Sequence, residues 1–277
     1  VDTQPSVQTS TAAPAQSSPW TPFEASYRAA LSIDRLRRFR KERDKHAWAP
    51  AIGRYQFNIE LTSALYPALN WAEVALRNHL DTIISQAHPM GSGRSFNRVA
   101  SWLDAVPAIL LPLEQAKVAN AVDDLERRNR QRKGPAGAKA PVKVLTEGRL
   151  VAELRFGFWT RLLDGVYADW RNPASPRFWP RLLDRGFPHC PVLIRTRKDL
   201  HTRFTEIKEL RNRAFHHERI SHQVTLEFFD DVLEAIHWID PVLADSVRER
   251  ERPRFKAVLD AGPQPFVEWA MSKVVSC

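Results

Sequence analysis

Cysteine is nearly absent: the 277-residue chain has two, Cys190 and Cys277. Two distant thiols exclude a disulfide framework and a zinc knuckle. Glycine is also scarce, 10 residues against 20 prolines, which argues against a sheet-and-turn architecture and against phosphate-cradling loops. No apolar run approaches the ~20 residues of a membrane span, so no membrane partner is expected. The amino terminus lacks a basic stretch leading into an apolar core, so a reducing cytoplasm is the expected address. Alternating strand patterns bounded by hairpin signals are missing too.

What is present is charge and helical period. Lys and Arg outnumber Asp and Glu by 41 to 32, and the stretch RRNRQRKGPAGAKAPVK (127–143) accounts for seven of the nine net positive charges. Such a basic, flexible loop suits a polyanion, RNA among them, or serves as a solvated segment; charge leaves both open. Within it Arg127, Arg128, Arg130, Arg132 and Lys133 are the candidate RNA contacts. Residues 1–23 open with VDTQPSVQTSTAAPAQSSPW, a composition that cannot bury enough apolar surface to order itself. A disordered tail is expected there, and one all-α domain over 24–277.

The helical period predicts helices over 24–47, 55–87 (bent or split at Pro67), 107–130, 146–166, 195–217, 226–239 and 241–260, the last ended by Gly262. Short irregular turns are expected over 170–191. Trp159, Trp170, Trp179 and Trp238 are read mainly as core, with base stacking as the alternative.

Two charges stand out by position. Leu200, Phe204, Ile207, Leu210 and Ala214 form one apolar stripe, and Arg211 falls inside it at 100° per residue. Leu69, Ala72, Leu76, Leu80 and Ile83 form another, and Glu73 falls inside that one. Opposite charges on two core-facing stripes are best satisfied by meeting; the alternative partner for Glu73 is Arg77, one turn away. Asn212 and His216 share a different face. A histidine can move a proton to or from an RNA oxygen, and an arginine can stabilise charge growing on phosphate. An internal 2′-hydroxyl nucleophile needs no metal. His79, His88, His189 and His201 show no ligand spacing, so neither metal nor cofactor is expected.

Arg211-Asn212-x-x-x-His216 resembles the signature of the HEPN superfamily of helical ribonucleases. The longer string LRNRAFHHERI resembles the Abi-like abortive-infection proteins within it. LNWAEVALRNHL (69–80), VAELRFGFWTRLL (151–163), FWPRLLDRGFP (178–188) and AIHWIDP (235–241) are similar to further segments of that family, in the same order. The likeness covers about 24–242, and Phe215 departs from it where a smaller residue is usual. It implies a HEPN-like helical bundle with additional helices. It further implies a metal-independent endoribonuclease that leaves a 2′,3′-cyclic phosphate and acts as a toxin in phage defence. Arg211, Asn212 and His216 would be catalytic, with Glu73 and His217 supporting. The implied partners are an RNA substrate, a second copy of the chain at a shared cleft, and an antitoxin or inhibitory RNA. The alternative is a non-catalytic RNA-binding or regulatory module of the same superfamily.

Overall fold

The computed structural model describes residues 20–44, 47–87, 94–95, 98–99, 101–104, 109–131, 145–168, 178–179, 182–221 and 224–275. Among these the chain is helical. The eleven α-helices are α1 (Pro22–Leu31), α2 (Ile33–Arg37), α3 (Ala49–Ala87), α4 (Pro112–Gln131), α5 (Glu147–Glu153), α6 (Phe156–Leu162), α7 (Leu183–Gly186), α8 (Arg197–Phe215), α9 (Leu226–His237), α10 (Pro241–Ala261) and α11 (Gln264–Val275). A two-residue antiparallel pair, β1 (Arg94–Ser95) with β2 (Arg98–Val99), is the sole sheet among the described residues. No helix among them is long and apolar enough to cross a membrane. The segment expected to be a disordered tail lies outside the described residues up to position 19; Trp20 to Phe23 are described, and α1 begins at Pro22.

The chain divides into two compact units, Val1–Phe57 with Pro263–Cys277, and Asn58–Gly262. In the first unit, Glu24 serves two helices. It closes a capping box with Thr21 at the start of α1 and accepts hydrogen bonds from the N–H groups of Trp48 (2.9 Å) and Ala49 (3.1 Å) at the start of α3. Both helix ends leave orphan N–H donors, and one buried carboxylate satisfies some of each. Ser32, at φ 63°, breaks the single helix expected over 24–47 into α1 and α2. Leu36, Ala49, Ile52 and Ala270 form a small core there. Gly53 permits α11 to lie against α3, because a Cβ at that position would sit 2.5 Å from the Phe266 carbonyl oxygen. No helix is expected from the sequence beyond Gly262, and α11 lies there.

The larger unit is organised by the length of α3 from Asn58 onward. Leu61, Leu65, Leu69, Ala72, Leu76, Leu80 and Ile84 are all buried, the three- and four-residue spacing of one helix face. Pro67 lies inside α3 without ending it. Aromatics fill the core: Trp102 meets Trp159 and Phe178, Tyr167 stacks on Phe178 at 5.3 Å, and Phe187 meets Phe204. Trp159, Trp179 and Trp238 are buried, so the core reading holds for them; Trp170 lies outside the described residues.

The helix expected over 146–166 is interrupted. Leu154 and Arg155 adopt extended backbone between α5 and α6. The Trp159 indole N–H donates to the Leu154 carbonyl at 3.3 Å, supplying a partner at the interruption. Thr196, Thr225 and Asp240 cap α8, α9 and α10 through their side chains, and α10 ends at Gly262 with φ 62°. Phe229 stacks on Phe255 at 4.5 Å to join α9 to α10.

Candidate functional site

The last turn of α8 carries Arg211, Asn212 and Phe215, and the helix stops at His216. The stop is a Schellman closure. The His217 N–H donates to the Ala214 carbonyl (3.0 Å) and the Glu218 N–H to the Arg213 carbonyl (2.9 Å), with His217 in the left-handed region at φ 53°. This is the position usually given to glycine. A histidine there holds the turn at some conformational cost.

The strand of chain after the turn is tied to α3 by Asn58, which is buried. Its side-chain N–H donates to the Glu218 carbonyl at 3.0 Å, and its carbonyl oxygen accepts the Ile220 N–H at 2.8 Å. Arg213 adds a second tie, donating to the Arg219 carbonyl at 2.8 Å and lying 3.4 Å from Glu218 Oε2. The backbone that carries His216 is therefore fixed on both sides.

Arg211 and Glu73 meet: Nε lies 3.1 Å from Oε2. The Glu73 residue is 9% exposed, and 27% of the Arg211 side chain is exposed. Arg211 therefore occupies the rim of its apolar stripe, with a face open to solvent. No ion pair joins Glu73 to Arg77 among the described residues. The Arg211 guanidinium also lies 4.1 Å over the Phe215 ring and donates to Asn212 Oδ1 at 3.4 Å. Phe215, 44% exposed, is braced edge-on by Tyr66 at 5.2 Å. Phe215 thus forms a platform for the arginine. Beside it, Asn58, Ile59, Thr62, Ser63, Tyr66 and His217 line a shallow pocket of about 250 Å³. Asn212, His216 and His217 are exposed.

Arg211, Asn212 and Glu73 are brought together, and His216 and His217 are adjacent on the turn. No contact joins Arg211 to His216; at 100° per residue they point about 140° apart. The helix expected to Arg130 and the basic loop expected over 127–143 overlap, and α4 takes the overlap: Arg127, Arg128 and Arg130 are helical, and each has an acid: Asp124 at 2.6 Å, Glu153 of α5, and Glu126 at 3.4 Å, respectively. Arg132 and Lys133 lie outside the described residues. Among the described residues no three His, Cys, Asp or Glu side chains converge on a metal-sized site.

Sequence reasoning missed Asn58 and Tyr66. Asn58 was within reach, since it extends the apolar stripe of Leu61 and Leu65 as a polar outlier, the same signal that singles out Glu73. No family model, curated protein or solved structure matches the chain.

Proposed function

We propose that this protein is a metal-independent endoribonuclease of the Abi-like HEPN kind, acting in the cytoplasm as an abortive-infection toxin in phage defence. The observation that carries the reading is the Glu73–Arg211 pair (3.1 Å). It directs a partly exposed guanidinium at the helix end that also presents an exposed His216. A preorganised cation needs no reordering when charge develops on phosphate.

In the reaction the ribose 2′-oxygen attacks the adjacent phosphorus and gives its proton to a neutral histidine. The phosphorus–O5′ bond breaks, and a protonated histidine supplies the proton to the leaving 5′-oxygen. The products are a 2′,3′-cyclic phosphate and a 5′-hydroxyl. Arg211 bears the added charge on the phosphoryl oxygens, and Asn212 orients Arg211 or the substrate. Arg211 and His216 diverge within one chain, so a second copy is required to bring both kinds of group to one phosphate. The exposed Tyr66 and Phe215 beside the turn suit a two-fold contact of the α3 and α8 faces. An antitoxin or inhibitory RNA would act by covering this face.

The test is labelled single-stranded RNA incubated with the protein in EDTA, alongside His216→Ala and Arg211→Ala. Cleavage by the parent and loss in both variants, with helical content unchanged, supports the reading. RNA retarded but intact supports the non-catalytic binding module instead.

A further inference from the structure

Upstream of the helix end, α8 carries Arg197, His201, Lys208 and Asn212 within a sector about 60° wide, spread along about 22 Å of axis. The acids of the helix, Asp199, Glu206 and Glu209, fall about 60° or more outside that sector. Helix α6 packs beside this face. Its Arg161 lies 2.6 Å from Asp164, and Asp164 lies 3.9 Å from His201. A Cβ added at Gly157 would meet Lys208 Cδ at 4.0 Å, so the lysine stem runs past the one residue of α6 without a side chain. Gly157 in turn lines an open groove of about 690 Å³ whose three cations, Lys117, Arg127 and Arg155, are matched by Asp123, Asp124 and Glu153.

On the α6–α8 face itself the charges do not cancel. Arg161, Arg197 and Lys208 are permanent cations there, and the carboxylates beside them are Asp164 and the buried Glu114, which is shared with Lys117. Glu114 accepts from Tyr167 (3.0 Å) and lies 3.3 Å from Lys117 and 4.0 Å from Arg161. Arg197 donates to the neutral Leu163 carbonyl at 3.1 Å, and Lys208 has no acid partner among the described residues. Burial lowers the His201 pKa from its ordinary value; Asp164 raises it, while Arg197, Lys208 and Arg161 lower it further. Arg197, His201 and Lys208 share one face of α8, and Arg161 reaches it through Asp164. All four α8 and α6 side chains in question, Arg161, Arg197, His201 and Lys208, are half-buried, so their stems lose little freedom when the heads bind.

We infer that the α6–α8 face is a phosphate-backbone track that leads a single-stranded RNA along α8 to the His216 turn. This rests on the RNA reading above but not on cleavage. Its spaced cations contact phosphates without reading bases, which gives affinity that falls with salt.

The experiment is anisotropy of a labelled 12-nucleotide single-stranded RNA, titrated in EDTA at several salt concentrations, with the full chain carrying His216→Ala to keep the RNA intact. Lys208→Gln is compared with the charge-matched Lys198→Gln, which lies outside the sector. Lys208 has no partner to lose, so that variant keeps the fold; Arg197→Gln with Lys208→Gln is the stronger form. Removing both should make the slope of log K against log salt less negative by about 1.4, at roughly 0.7 per phosphate contact. Lys198→Gln should leave it unchanged. Equal slopes for Lys208→Gln and Lys198→Gln, or no RNA binding by the parent, would overturn the track. Expected slopes in the His216→Ala background, together with an unsubstituted chain that never cuts RNA in EDTA, would overturn the nuclease reading and leave the track standing.

Discussion

Nε of Arg211 lies 3.1 Å from Oε2 of Glu73, so a carboxylate in the middle of α3 sets the direction of a guanidinium in the last turn of α8. The pair is partly open, which bounds its energy. An exposed ion pair is worth under about 1 kcal/mol, and a fully buried one costs about 3–5 kcal/mol to break on one side. Glu73→Gln keeps the shape and removes the charge. It should lower stability by about 1–2 kcal/mol and reduce RNA cleavage far more than that loss of folding explains. Denaturant midpoints together with single-turnover rates in EDTA check it; wild-type rates in a folded Glu73→Gln protein would remove Glu73 from the site.

Asn58 satisfies one buried N–H and one carbonyl of the 218–220 backbone. Asn58→Leu replaces both bonds with a group that can make neither, at about 1–3 kcal/mol for each group left unpaired. The expected outcome is a clearly lower urea midpoint and faster amide exchange at Ile220. A midpoint within experimental error of the parent would show the clamp to be dispensable.

His217 is in the left-handed region. His217→Gly removes the Cβ strain and should raise stability by up to about 1 kcal/mol, whereas His217→Val should lower it by at least as much. Neither ring nitrogen is assigned a proton transfer, so cleavage by His217→Gly should stay near the parent level. Loss of cleavage in this variant would move chemistry onto His217.

Arg252 of α10 holds Asp230 of α9 with two hydrogen bonds, 2.7 and 2.8 Å, which lower the Asp230 pKa. A folded-state value below the unfolded one means that the contribution is complete above about pH 4 and is lost as pH falls through the folded value. The melting temperature of the parent should therefore drop more steeply between about pH 4 and pH 2.5 than that of Asp230→Asn. Parallel curves would show that the pair adds nothing to acid stability.

The features legible in the sequence are those carried by local pattern. Glu73 and Arg211 were visible because each is a charge on an apolar stripe. Gly262 marked the end of α10, and the bounds of α8 and α9 came within two residues from periodicity alone. The break at Leu154 was not visible, because the partner of its carbonyl is an indole five residues on whose position depends on the core. At Arg127, Arg128 and Arg130 the expected helix and the expected basic loop overlapped, and the helix holds because arginine and glutamine are good helix formers and Asp124 and Glu126 sit one turn back. Asn58 could be suspected of a polar role but not assigned a partner, since its partner lies 160 residues away in the chain.

That separation has a consequence for timing. The clamp from Asn58 to Glu218 and Ile220 closes one of the longest loops in the molecule, and loops of that span close only after local helices have formed. During synthesis α3 emerges long before the segment it must grip. A nascent or truncated chain that ends before Ile220 lacks the grip on the His216 turn, so the arrangement around Arg211 and His216 is among the last things this chain acquires.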